Sequence, residues 1–98
     1  MATRNRYLVT YDIRNPGRLR RIHGLVVDFG DRLQYSVYIC DLTKVELIEL
    51  RRDLREKMKH DEDSISIFDL GPPNGRAAIK VEHLGTEPDL PSDDPEVW

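Results

Sequence analysis

Apolar and polar positions alternate along Arg6-Tyr7-Leu8-Val9-Thr10-Tyr11-Asp12-Ile13. The two-residue period puts Tyr7, Val9, Tyr11 and Ile13 on one face and Leu8, Thr10 and Asp12 on the other. This predicts a strand over 6–13 that ends near Asp12. Asn15-Pro16-Gly17 breaks it, with Asn15 placed as a helix N-cap and Pro16 at the first helical position. Leu19, Ile22, Val26 and Phe29 then follow helical spacing and predict a helix from Pro16 to Phe29, with Gly30 as its stop. Alternation returns over 33–39, where Leu33, Tyr35, Val37 and Ile39 oppose Gln34, Ser36 and Tyr38, and predicts one second strand. Thr43-Lys44-Val45-Glu46 is a capping-box pattern. It opens a helix with Leu47, Leu50, Leu54 and Met58 along one side and charged residues along the other. Ser64–Leu70 predicts a third strand, Gly71-Pro72-Pro73-Asn74-Gly75 a loop, and Ala77–Leu84 a fourth strand.

The order strand, helix, strand, helix, strand, strand fits an α+β chain of the ferredoxin-like, βαββαβ-type sandwich class: one sheet with two helices on one face. Residues 1–85 form that domain. Residues 86–98 form an acidic tail punctuated by Pro88, Pro91 and Pro95, with Glu96-Val97-Trp98 as a short apolar close. The sheet face away from the helices carries Leu8, Thr10, Phe68 and Leu70. An apolar sheet face without a helix needs another cover. Two-fold pairing is the commonest oligomer symmetry, so a homodimer through the sheet faces is expected.

Bulk properties narrow the classes. Ninety-eight residues predict one domain, and 34% charged residues with 39% hydrophobic ones predict a soluble globule. No apolar run approaches the ~18 residues of a membrane span. The first six residues lack the apolar core of a secretory signal, and the lone Cys40 allows no internal disulfide; both point to a reducing cytoplasm. The net charge of −3 is uneven. Residues 85–98 hold five acidic residues and no Lys or Arg, whereas residues 1–32 hold seven Arg against three Asp. A basic front is compatible with phosphate binding, and equally with a mixed solvated surface.

Asp12 is the leading chemical candidate. A carboxylate on an apolar strand is costly to bury unpaired. A two-fold axis nearby would bring two copies together to share a proton or bind a cation, and Mg²⁺ accepts one or two carboxylates. The alternative is an Asp that caps the following turn, bonded to Asn15 or nearby amides. Arg14, Arg18, Arg20, Arg21 and Arg32 surround this segment as candidate phosphate contacts, or else as partners of surface acids such as Asp28, Asp31 and Glu62. Tyr7, Tyr11, Tyr35 and Tyr38 could stack bases or pack in the core. Asp61-Glu62-Asp63 reads as a solvated acidic turn. His23, His60 and His83 show no metal spacing.

Four stretches resemble one family, the second of the two universal CRISPR-associated adaptation proteins. They are Tyr11-Asp12-Ile13, Arg32-Leu33-Gln34-Tyr35-Ser36-Val37-Tyr38, Asp63-Ser64-Ile65-Ser66-Ile67-Phe68 and Lys80-Val81-Glu82-His83-Leu84-Gly85. Tyr38 departs from the phenylalanine common there. The resemblance implies a ferredoxin-like homodimer in a prokaryotic cytoplasm, with Asp12 as catalytic residue and metal ligand for Mg²⁺ or Mn²⁺ at the dimer interface. It makes Tyr11, Arg21, Arg32, Gln34, Ser36 and Tyr38 neighbours of the site. It implies metal-dependent endonuclease activity on RNA or DNA, and a dimer that bridges CRISPR integrase dimers. A non-catalytic DNA-binding scaffold for that integrase is the rival expectation.

Overall fold

The computed structural model describes residues 3–75 and Leu84. Its elements are β1 (Asn5–Asp12), α1 (Pro16–Val26), β2 (Asp31–Gln34), β3 (Val37–Leu42), α2 (Lys44–Lys57) and β4 (Ser64–Gly71). The strands form one antiparallel sheet in the order β2-β3-β1-β4. The pattern βαββαβ is therefore complete by residue 71. The expected strand from Ala77 to Leu84 and the acidic tail lie outside the described residues, apart from Leu84, which is exposed.

β1 alternates as its sequence dictates. Tyr7, Val9 and Tyr11 point inward and are buried, joined by Ile13 just past the strand. Tyr38, Cys40 and Leu42 do the same from β3. Both helices cover this one face: Ile22 and Val26 of α1 and Leu50 and Leu54 of α2 complete the core. Burying these side chains stabilises the fold by roughly 1.5–3 kcal/mol each.

The second strand is a correction to the sequence reading. Residues 33–39 are not one strand but a hairpin, β2 turning into β3 at Tyr35-Ser36. No Gly, Pro or Asn marks that turn, so the unbroken alternation concealed it. Ser36 takes a left-handed backbone (φ 57°), which costs a non-glycine residue about 1 kcal/mol. A bulge between Arg32 and Gln34 completes the turn, and the Ser36 carbonyl accepts the Tyr11 amide at 3.1 Å. That tertiary bond ties the turn to β1.

The first helix also ends sooner than expected, at Val26. Asp28 and Phe29 donate to the carbonyls of Leu25 and Val26, tightening the chain into a turn before residue 29. Gly30, expected as the helix stop, has a different reason to be glycine. A Cβ there would lie 2.3 Å from the Ile39 carbonyl oxygen and 2.5 Å from the Cys40 sulfur. The chain entering β2 needs that close approach to β3. The second helix follows expectation: Thr43 Oγ1 accepts the Glu46 amide at 3.1 Å, and the Glu46 carboxylate accepts the Thr43 amide at 2.9 Å.

Among the described residues, no helix lies on the opposite sheet face. In register, Ile39, Leu8 and Phe68 form a row across β3, β1 and β4, and Val37, Thr10 and Ser66 form the next row. Phe68 is 50% exposed and Leu70 40%.

Candidate nucleic-acid interface around Asp12

Asp12 is the last residue of β1, opposite Ser64 of β4. Its neighbours Tyr11 and Ile13 turn into the core, so strand parity sends Asp12 to the open sheet face, where it is exposed. The turn that follows does not use it. Asn15 caps α1 instead, its Oδ1 accepting the Arg18 amide at 3.0 Å. Among the described residues, the Asp12 carboxylate takes no hydrogen bond and no ion pair. The turn-capping alternative raised for Asp12 finds no such bond among the described residues, while Asn15 caps the helix as expected.

The arginines divide into two kinds. Arg14, Arg20 and Arg21 are exposed, and none makes an ion pair among the described residues. Arg18 is committed elsewhere. Its Nε donates to Asp63 Oδ2 at 2.7 Å and its Nη2 to Asp63 Oδ1 at 3.0 Å, a bidentate pair, with Glu62 at 3.7 Å. Arg32 is half-buried, its guanidinium carbon 5.1 Å from the Tyr35 ring centre.

The expected neighbours split across the sheet. Gln34 is exposed and Ser36 half-buried, both at the hairpin end beside Tyr11. Tyr11 and Tyr38 lie inward on the helix-covered face. Their rings stack with centres 6.2 Å apart, and the Tyr38 hydroxyl lies 2.7 Å from His23 Nδ1. Burial, reinforced by Tyr38, pushes the Tyr11 phenol above its usual range, while Arg32 and Ser36 pull it the other way. These two rings therefore support the strands from behind and are not base-stacking surfaces. Tyr35, at 58% exposure, is the tyrosine that solvent reaches.

The reading of Asp61-Glu62-Asp63 as a solvated turn is corrected at Asp63. Its side chain is fully buried. Besides Arg18, it accepts the Lys59 amide at 2.9 Å and the Arg14 amide at 3.4 Å. The Arg18 hydrogen bonds, aided by these amides, hold the carboxyl well below the usual carboxylate range. The signal was present in the sequence: an acid directly before an apolar strand, in a chain whose first helix begins with a run of arginines.

Among the described residues, no three His, Cys, Asp or Glu side chains gather closely enough to hold a metal ion. One protomer presents Asp12 alone. That donor set fits Mg²⁺ or Mn²⁺, which retain several waters, only with a second carboxylate or a substrate phosphate beside it.

Residues 5–75 match the family described as CRISPR associated protein Cas2. The chain is 42% identical over 79 residues to the CRISPR-associated endoribonuclease Cas2 of Geobacter sulfurreducens, covering 81% of this chain and 82% of that one. It is 30% identical over 96 residues to the CRISPR-associated endonuclease Cas2 of Halalkalibacterium halodurans, covering 93% and 97%. Among solved structures, Streptococcus pyogenes Cas2 superposes with a TM-score of 0.70 at 35% identity, covering 82% of this chain and 99% of that one.

Proposed function

Because the chain belongs to the CRISPR associated protein Cas2 family, we propose that it is a nuclease of CRISPR spacer acquisition, a homodimer that cleaves phosphodiester bonds in RNA or DNA with one Asp12 from each copy. The observation that carries this reading is Asp12 itself: an exposed carboxylate at a strand end, with no structural partner among the described residues. An exposed carboxylate that serves no local bond is free to take a cation.

The sheet face that no described helix covers supports the two-fold arrangement. The row Ile39-Leu8-Phe68 presents apolar surface that a second copy would remove from water, and Val37, Thr10 and Ser66 form a more polar row beside it. Asp12 lies on the same face, one alternation beyond Thr10, so pairing these faces carries two carboxylates toward one axis. Together they would hold Mg²⁺ or Mn²⁺. When bound, such an ion makes its water more acidic and offsets phosphate charge. Arg14, Arg20 and Arg21 neutralise the phosphate backbone and, where one reaches the scissile group, the charge that develops there. The cytoplasm is the compartment this work requires, and no helix among the described residues is long and apolar enough to cross a membrane.

A second reading rests on the same exposed arginines. A dimer that grips DNA through sequence-independent contacts and docks a CRISPR integrase on its flanks needs no metal. The separating experiment incubates wild type and Asp12→Ala with single-stranded RNA and duplex DNA in Mg²⁺, and measures DNA binding in parallel. Loss of cleavage with binding retained supports the nuclease. Equal cleavage by both proteins would remove Asp12 from the mechanism.

A further inference from the structure

The β1–β4 ladder ends at the pair Asp12 and Ser64. One residue before Ser64, the Asp63 carboxylate reaches across and accepts the Arg14 amide, two residues beyond Asp12. The same carboxylate takes the Arg18 fork from the first turn of α1 and the Lys59 amide from the chain leaving α2. Three segments thus converge on one acid with no solvent exposure of its side chain. A buried charge is tolerated only when paired and hydrogen-bonded, and Asp63 has four donors on its two oxygens.

We propose that Asp63 is a positioning residue, locked by Arg18, that fixes the Asp12–Arg14 segment for the reaction; this rests on the reading of Asp12 given above. Asp12 is held on both sides. Its strand is paired with Ser64, and the chain just beyond it is tethered at the Arg14 amide. Without that tether, among the described residues, the segment from Ile13 to Asn15 is held by the buried Ile13 side chain, the Asn15 side-chain cap and the Leu19 amide on the Asn15 carbonyl. Arg18 consequently leaves the set of phosphate contacts. Its two carboxylate-facing nitrogens are satisfied inside the protein, whereas Arg14, Arg20 and Arg21 keep theirs toward solvent.

The test compares full-length wild type, Asp63→Asn and Arg18→Lys, using amide hydrogen exchange, cleavage at varied Mg²⁺ concentration, and KM for nucleic acid. Asparagine loses the charge that holds the fork, and lysine cannot make the bidentate contact. The expected result is exchange faster by about tenfold or more at Ile13 and Arg14, with Val9 still protected. A several-fold higher Mg²⁺ requirement should accompany it at unchanged KM. Should Asp63→Asn fail to fold, Arg18→Lys carries the same comparison. Unchanged exchange at residues 13 and 14 in a folded variant overturns the proposal, whatever the cleavage rate. So does faster exchange with an unaltered Mg²⁺ requirement and kcat, which would leave Asp63 a loop tie only. Asp12→Ala, run alongside, reports on the nuclease reading separately: full activity there refutes the role of Asp12, while the exchange data still decide whether Asp63 holds the segment.

Discussion

The Tyr38 hydroxyl and His23 Nδ1 meet at 2.7 Å in a core where both residues are almost fully buried. Tyr38 is the departure within the resembling motifs, and its hydroxyl has a definite role in this core. His23 brings a polar ring into the core from α1, and the extra hydroxyl satisfies it, with the Tyr11 hydroxyl at 3.5 Å on the same nitrogen. Tyr38→Phe should therefore cost about 1–3 kcal/mol, because a buried imidazole loses its main partner. Adding His23→Leu should recover part of that loss, since the two residues act as a unit. Urea unfolding of the two single variants and the double variant measures the coupling. Strict additivity would mean that the hydrogen bond contributes nothing.

Glycine substitutions should separate two kinds of position. At Gly30 a methyl group meets the Ile39 carbonyl and Cys40, both fixed parts of β3. Gly30→Ala should destabilise by about 1–3 kcal/mol or more, since overpacking here displaces backbone. Gly24 lies within α1 with nothing within 4 Å of the added carbon. Gly24→Ala should stabilise by roughly 0.4–1 kcal/mol, through helix propensity and a less disordered unfolded state. Thermal unfolding of both reads out the opposite signs.

The Asp63 carboxyl also sets a pH dependence. Its folded value is depressed, chiefly by Arg18. A depressed acid contributes stability that is fully present above its unfolded value, about 3.9, and is lost as pH falls through the lower folded value. The stability difference between wild type and Asp63→Asn should thus be flat at neutral pH and shrink below about pH 4. A difference that persists undiminished to the lowest pH at which the fold survives would argue against an ionised Asp63.

Where the sequence was legible, one dominant physical signal ruled locally. Strand parity in β1 correctly placed Tyr7, Val9 and Tyr11 inside and Asp12 outside. The capping box placed the start of α2, and the apolar stripe of Leu50 and Leu54 placed its buried side. The fold class followed from these, and the family from the motifs. The hairpin at Tyr35-Ser36 was invisible because its turn is made by a tertiary bond to Tyr11, with a serine accepting a left-handed backbone. The burial of Asp63 was masked for the same kind of reason: an acid preceded by Asp61 and Glu62 reads as solvated, despite the apolar strand that follows it, until α1 delivers Arg18 to it. The same folding step pairs Arg18 with Asp63, which on the proposal above takes it out of the contacts expected with phosphate. Periodicity reports which face a residue occupies; it cannot report which charge from a distant segment arrives there.

The proposed dimerisation through the open sheet face makes a direct prediction. Phe68→Glu places a charge in the apolar row with Ile39 and Leu8, on a residue already half exposed. The protomer should fold as before, within about 0.5 kcal/mol, because no core contact is lost. Sedimentation should shift from dimer to monomer, and cleavage should fall with it if two Asp12 carboxylates are required. A dimer unaffected by Phe68→Glu would place the interface elsewhere.

Salt dependence separates the two classes of arginine. Each phosphate neutralised by a protein cation releases counterions, so the logarithm of the binding constant falls with the logarithm of salt concentration by about 0.9 per contact for duplex DNA. Arg14, Arg20 and Arg21 offer exposed guanidinium groups. Replacing any one that contacts phosphate by alanine should weaken binding uniformly across sequences and lower the slope by about 0.9. Arg18→Ala should leave the slope unchanged, because its guanidinium already faces Asp63. Its cost should appear instead in stability, where an unpaired buried carboxylate remains. A slope lowered by Arg18→Ala as much as by Arg20→Ala would show that nucleic acid pulls Arg18 away from Asp63, and the division drawn between these arginines would fail.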